Sequence, residues 1–210
     1  MHCARREGVC VLELRVKRWI DIAIAAVLLI VLAPLLAILA LIVRIDSPGP
    51  ALYRRRVLGR GGRPFNALKL RTMICDQDAL LATQPELAAQ LRTEYKLVHD
   101  PRVTRSGHWL RRSSLDELPQ LWNVLCGDMS LVGPRMISPP ELERYGAEGE
   151  ILLTVQPGLT GLWQVSGRSN LEPSERVRLD LAYVRQRNLA LDVQLLWRTI
   201  PAVLFGRGAR

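Results

Sequence analysis

The sequence is short of three things. Cysteine occurs only as Cys3, Cys10, Cys75 and Cys126, with no Cys-x-x-Cys pair and no histidine cluster nearby. That excludes a disulfide scaffold, argues against structural zinc and leaves reduced thiols as the plain reading. Aromatic residues make up 5% of the chain. The basic stretches carry no interleaved aromatics, so a nucleic-acid module built on base stacking finds no support. Acidic residues are outnumbered, 20 against 29 Lys and Arg, for a formal charge of +9. A run apolar enough to enter a bilayer occurs once, which excludes a polytopic membrane protein. Internal repeats and low-complexity linkers are absent. What is present is 49% hydrophobic residues in 210, too many for a disordered chain and a length for one modest domain plus an appendage.

The appendage is the charge-free run Ile22 to Val43. At 1.5 Å per residue a straight helix of this length reaches about 33 Å, enough to cross a hydrocarbon core of roughly 30 Å. Pro34 interrupts it just past the middle, where a proline removes a backbone donor and kinks a helix. Both flanks are basic: Arg5, Arg6, Arg15, Lys17 and Arg18 precede it, and Arg44, Arg54, Arg55, Arg56, Arg60 and Arg63 follow. The positive-inside rule therefore places both ends in the cytoplasm. The pattern predicts a re-entrant hairpin: helix in, bend at Ala33-Pro34, helix out. A plain span that tolerates the proline stays open. A signal peptide does not fit so long a run without a small-residue cleavage site.

The rest reads as α/β (α+β), mostly helical with a short β-hairpin. Ala51 to Leu58 and Phe65 to Met73 are predicted strands joined by the Gly-rich turn Gly59 to Pro64. From Arg44 to Arg71 eight basic residues face one acid, Asp46, a composition suited to anionic headgroups or an anionic substrate at the same surface. Asp76 to Leu97 has helical spacing, with Pro85 inside it. His99 to Arg102 reads as a turn. Leu115, Leu118, Leu121, Trp122 and Leu125 mark an apolar helix face ending before Gly127. Pro173 to Arg187 and Asp192 to Phe205 are predicted amphipathic helices, either lying on a membrane interface or turning a plain core stripe inward.

The stretch Leu110 to Leu121 is the most informative. Two adjacent carboxylates, Asp116 and Glu117, open a predicted helix just behind Arg111 and Arg112. Ser114-x-x-Glu117 matches a capping box, yet Pro119 then falls at the fifth helical position, which its ring disfavours. Asp116 as the cap would place Pro119 in the tolerated first turn. A carboxylate at a helix N-terminus among arginines is expected to stay ionised. An ionised Asp116 can attack phosphorus to form an acyl phosphate. A diphosphate would be repelled unless cations screened it. Lys69, Arg71, Arg111, Arg112, Arg135 and Arg168 are the candidates, with Mg²⁺ on carboxylate oxygen neutralising the rest.

At these residues the chain resembles a known family, the bacterial sugar transferases called monotopic phosphoglycosyl transferases, in their minimal single-domain form. The resemblance runs from about Lys17 to Leu204. It rests on Lys17-Arg-Trp-Ile-Asp21, Ser47-Pro-Gly-Pro50, Gly59 to Phe65, Lys69-Leu-Arg-Thr-Met73 and Asp100-Pro-Arg-Val-Thr104. It continues through Leu110 to Val124, Gly127 to Arg135 and Pro157 to Arg168. It implies transfer of a sugar 1-phosphate from a UDP-sugar to polyprenol phosphate, releasing UMP, as a first membrane step in exopolysaccharide or lipopolysaccharide synthesis. It implies a ping-pong mechanism with Asp116 as nucleophile, Glu117 in Mg²⁺ binding or the second step, and phosphate contacts from Lys69, Arg71, Arg111 and Arg135. Gln164 and Arg168 are implied for the nucleotide or the lipid phosphate.

Residues 1–16, ahead of the resemblance, read as an N-terminal tail; the resemblance implies a re-entrant membrane helix bent at Pro34 over 17–46 and a cytoplasmic catalytic domain over 47–210. It places the protein in the bacterial inner membrane, in contact with membrane lipids and not with nucleic acid, with a second copy of the chain as a further candidate partner. One departure is Ala33 before the bend proline, where the family often has a serine whose hydroxyl could satisfy a freed carbonyl. Two rival readings are a membrane adaptor without chemistry and a phosphohydrolase that resolves the acyl phosphate with water.

Overall fold

The computed structural model describes residues 5–6, 9–83, 100–167 and 170–204. Two short paired strands, β1 (Arg5–Arg6) and β2 (Val9–Cys10), precede helix α1 (Val11–Asp46). Helix α1 is long and apolar enough to cross a membrane. It continues through Pro34 as a single helix, where the sequence suggested two arms around a turn. Its buried positions Asp21, Ala25, Leu39 and Val43 fall near its two ends. Between them Ile30, Val31, Leu35 and Ile38 are exposed. The helix is thus held by polar clamps at both ends, while in its middle Leu29 and Leu32 pack against the core and the opposite side is exposed.

Polar clamps explain the docking. At the first end Arg18 donates to the carbonyls of Val124 and Leu125, and Asp21 accepts from the Ser130 hydroxyl and the Leu131 N–H. At the second, Asp46 accepts from the N–H and hydroxyl of Ser106. There the buried Arg71 guanidinium also donates to the carbonyls of Val43, Ser47 and Pro48.

The hairpin forms where its alternation predicts it. Strands β3 (Leu52–Leu58) and β4 (Pro64–Leu70) pair antiparallel, with Tyr53 opposite Lys69. Helix α2 covers Gln77–Thr83. The rest of the helix expected to Leu97, and His99, lie outside the described residues. Helix α3 (Arg105–Ser113) is capped by the Thr104 side chain, which accepts from the Gly107 N–H. A 3-10 turn, Leu115–Glu117, leads to α4 (Gln120–Cys126).

Two expectations fail here. Ser114 caps no helix with its side chain, and Glu117 reaches other partners, so the capping box does not form. Trp122 leaves the expected apolar face and is 56% exposed, because the Leu121 and Val124 side of α4 meets the core.

Periodicity cannot reveal the third sheet, two three-residue strands paired in parallel, β5 (Ser130–Val132) and β6 (Gly158–Thr160). Glycine permits it: a Cβ on Gly158 would lie 2.1 Å from the Gly133 nitrogen. Helix α5 (Leu162–Ser166) follows, then α6 (Pro173–Gln186) and α7 (Leu189–Leu204). Helix α6 buries Asp180, Leu181, Tyr183 and Val184, so the plain core stripe holds for it. Helix α7 instead exposes Val193, Trp197 and Ile200, one turn apart on one face.

Candidate active site

Three long-range packing decisions build the site. Strand β4 carries Lys69 to the 3-10 turn that holds Asp116 and Glu117. Loop residues just after β5 carry Arg135 to the same turn. Ser114, the one non-glycine residue at positive φ among the described residues, makes the third. At φ 59° it ends α3 and turns the chain so that the carboxylates face β4.

The neighbouring carboxylates are treated very differently. Glu117 Oε1 accepts from Lys69 Nζ at 2.7 Å and from Arg135 Nη2 at 2.6 Å, and Oε2 lies 3.4 Å from Arg135 Nη1. Burial pushes its pKa up, but the charges and hydrogen bonds of Arg135 and Lys69 outweigh that and hold it far below the usual carboxylate range. Glu117 in turn raises the pKa of Arg135.

Asp116 is 7% exposed and accepts no hydrogen bond among the described residues. Its nearest cation is Lys69 Nζ at 3.6 Å from Oδ2. Burial raises its pKa, Lys69 opposes that, and the negative charge of Glu117 adds to the rise. The helix N-terminus expected at Asp116 does not form. The residue sits in a single 3-10 turn, and desolvation outweighs its cations. Two adjacent acids thus have their pKa values driven apart, one saturated and one available.

The candidate cations also separate. Arg111 donates from Nε to the Thr72 hydroxyl at 2.9 Å, and its charge acts on Asp116. The close approach that permits this is at Gly107, where a Cβ would fall 2.2 Å from the Thr72 carbonyl oxygen. Arg71 points away from the dyad and clamps the end of α1 instead. Arg112 is exposed on the last turn of α3 and has no recorded contact with the dyad. Gln164 lies on α5 with both amide atoms buried and unpartnered. Arg168 lies outside the described residues.

Residues the sequence did not single out support the site. Asp180 accepts from the Arg135 backbone N–H at 3.0 Å and from the Tyr145 hydroxyl at 2.9 Å. Burial lifts its pKa to about 7 against those bonds. The Trp163 ring lies 5.8 Å from the Arg135 guanidinium and 5.3 Å from that of Arg176, within cation–π range. Asp180 had a legible signal: it is an acid inside the apolar stripe Val177, Leu181, Val184. Trp163 and Arg176 had none.

No group of three or more His, Cys, Asp or Glu side chains poised for a metal occurs among the described residues. That still fits Mg²⁺ bound with a diphosphate, because such a site uses one or two carboxylates and fills the rest with phosphate oxygens and water. Asp116 has the free oxygens for it, whereas those of Glu117 are already hydrogen-bonded.

The sequence profile of the bacterial sugar transferases matches residues 12–206. The chain belongs to that family. It is 45% identical over 197 residues to an uncharacterized sugar transferase of Haemophilus influenzae, covering 92% of this chain and 42% of that one. It is 44% identical over 197 residues to an undecaprenyl-phosphate galactose phosphotransferase of Salmonella typhimurium, covering 92% and 41%. It is 44% identical over 196 residues to a UDP-glucose:undecaprenyl-phosphate glucose-1-phosphate transferase of Caulobacter vibrioides, covering 90% and 69%. The chain spans about two-fifths of the length of the first two. In this bacterial sugar transferase the matched region includes α1, the dyad and Arg135.

Proposed function

We propose that this chain transfers a hexose 1-phosphate from a UDP-sugar to polyprenol phosphate and releases UMP. The observation that carries the proposal is the asymmetry of the dyad: Asp116 has no hydrogen-bond partner among the described residues beside a saturated Glu117. An Asp116 oxygen attacks the phosphorus that bears the sugar. The bond from that phosphorus to the bridging oxygen breaks, UMP leaves with the bridging electrons, and an aspartyl phospho-sugar ester remains. An oxygen of the polyprenol phosphate then attacks the same phosphorus, and the Asp116 carboxylate is the leaving group. Lys69, Arg135 and Arg111 lie where they can offset charge on the transferring phosphoryl group. Glu117 holds Lys69 and Arg135 in place. Mg²⁺ held by Asp116 and the diphosphate would supply further neutralisation of the substrate's charge. The printed activities of the Salmonella and Caulobacter relatives, on galactose and glucose, support a hexose.

The membrane reading belongs to the same proposal. Helix α1, one continuous helix through Pro34, dips into the inner membrane with a kink at that proline, and both its docked ends and the catalytic body stay on the cytoplasmic face. Docking of both its ends on one body supports this, because a straight span would carry one of those docked ends across the bilayer. The exposed side of the helix's middle supplies the lipid-facing surface.

The test is incubation of purified protein with UDP-glucose or UDP-galactose, Mg²⁺ and a short polyprenol phosphate. The expected result is UMP and a lipid-linked sugar, with a phospho-hexose on the Asp116 peptide by mass spectrometry when the acceptor is omitted. Product formed with no modification at Asp116 would overturn the mechanism. UMP release past one equivalent without acceptor would point to a hydrolase.

A further inference from the structure

A second cavity, of about 270 Å³, lies where the first docked end of α1 meets the α6–α7 junction. None of Lys69, Asp116, Glu117 and Arg135 lines it. Its acids are all engaged within the protein. Asp21 accepts from Ser130 and Leu131, Asp192 from Lys17 and Tyr183, and Glu13 from the Leu189 N–H. Its cations are not balanced in the same way. Lys17 pairs with Asp192, but among the described residues Arg18 donates only to the carbonyls at the end of α4. Arg187, at the end of α6, has its Nε and Nη1 atoms buried with no acceptor among the described residues. Arg60 adds an exposed charge to the lining.

Buried guanidinium donors that lack an acceptor cost free energy unless something supplies oxygens. Arg187, in no ion pair among the described residues, has an Nη1/Nη2 end of the kind that suits the paired oxygens of a phosphate. The volume approaches the lower end of ligand pockets, roughly 300 Å³, and exceeds what a bare ion needs. The cavity also sits one residue before the apolar run of α1 begins at Ile22.

We infer that this cavity is a phosphate-monoester site, separate from the dyad, in which Arg187 is the principal contact and Arg18 and Arg60 add charge. The monoester belongs either to a small soluble molecule or to a lipid headgroup, and the two sources are separable. The site is independent of the proposed transfer reaction, so its test does not use turnover.

The experiment is hydrogen exchange with mass spectrometry on the full chain, reading peptides over residues 12–18 and 183–192. One arm adds inorganic phosphate to protein in detergent. The other compares nanodiscs of phosphatidylcholine alone with nanodiscs containing phosphatidic acid. At a ligand concentration tenfold above Kd, exchange through openings that release the ligand slows about elevenfold. Protection by phosphate points to a soluble ester. Protection by phosphatidic acid only points to a headgroup, and either result supports the site. The protection is expected to vanish in Arg187→Ala and persist in Asp116→Asn. No protection in either arm, or undiminished protection in Arg187→Ala, overturns the inference. Should Arg187→Ala lose its fold by circular dichroism, Thr154→Trp keeps the arginine and fills the cavity. Protection retained in that variant overturns the inference equally, and protection lost supports it.

Discussion

Two buried charge clusters in this molecule contain the same residue types and are wired differently. In the cluster that anchors α1, both oxygens of Asp21 and both of Asp192 accept hydrogen bonds from Ser130, Leu131, Lys17 and Tyr183. In the dyad cluster Glu117 is saturated and Asp116 accepts none among the described residues. A fully satisfied network holds an element in place, and each removed partner costs stability. A carboxylate that burial has partly desolvated and left without donors retains capacity for a substrate. The difference teaches that a charge cluster's vacancy, not its charge, separates chemistry from scaffolding.

The comparison can be broken most sharply at its two central aspartates. Asp116→Asn is expected to lower sugar-lipid formation at least about 10³-fold, as loss of a nucleophile does, with little change in Tm. Asp21→Ala is expected to do the reverse. It strands the Ser130 hydroxyl and Leu131 N–H, costs about 2–4 kcal/mol in denaturant unfolding, and leaves kcat per folded molecule nearly unchanged. Equal activity losses in the two variants would end the distinction.

Arg135→Ala touches both properties. It leaves Glu117 buried with Lys69 alone, a loss of about 3–5 kcal/mol for a broken buried pair, and it removes a phosphate-facing charge, so turnover per folded molecule falls as well. Charge-swapped activity retained in Arg135→Glu would contradict the assignment.

Asp180 beneath Arg135 gives a pH signature. Its folded pKa of about 7 lies above the ordinary 3.8, so the folded state favours its protonated form. That contribution is complete below the ordinary value and is lost as pH rises through about 7. The Tm of the native chain should therefore fall relative to Asp180→Asn between those limits and run parallel above them. A constant difference across that range would remove Asp180 as the titrating group. For turnover, the raised pKa of Asp116 moves the acid limb of the rate profile above that of an ordinary carboxylate. The smallest expected effect is at Ser114→Gly, which relieves positive-φ strain and should raise stability by about 0.5 kcal/mol without altering rate.

Much of this was legible before the structure. The apolar run, its Pro34 interruption, the basic flanks on both sides and the alternation of the hairpin are local properties. Local physics places β3 within one residue of expectation; β4 begins one residue early and ends three short of Met73, and α1 begins well before the apolar run. The dyad was legible as chemistry because two carboxylates beside arginines are rare without a reason. Its local structure was misread, since a capping box and a 3-10 turn share the spacing Ser114-x-x-Glu117 and only the partners of Glu117 distinguish them.

Sequence by itself determined the family, the single membrane-sized helix, and which side chains could carry phosphoryl chemistry. Tertiary structure decided which of them meet. Lys69 and Arg135 converge on Glu117 from 48 and 18 residues away, while Arg71, two residues from Lys69, turns to the carbonyls that end α1. The reason is closure: residues two apart on a strand share a face, but β4 ends at Leu70, so Arg71 lies beyond the strand and long-range packing alone selects what it meets.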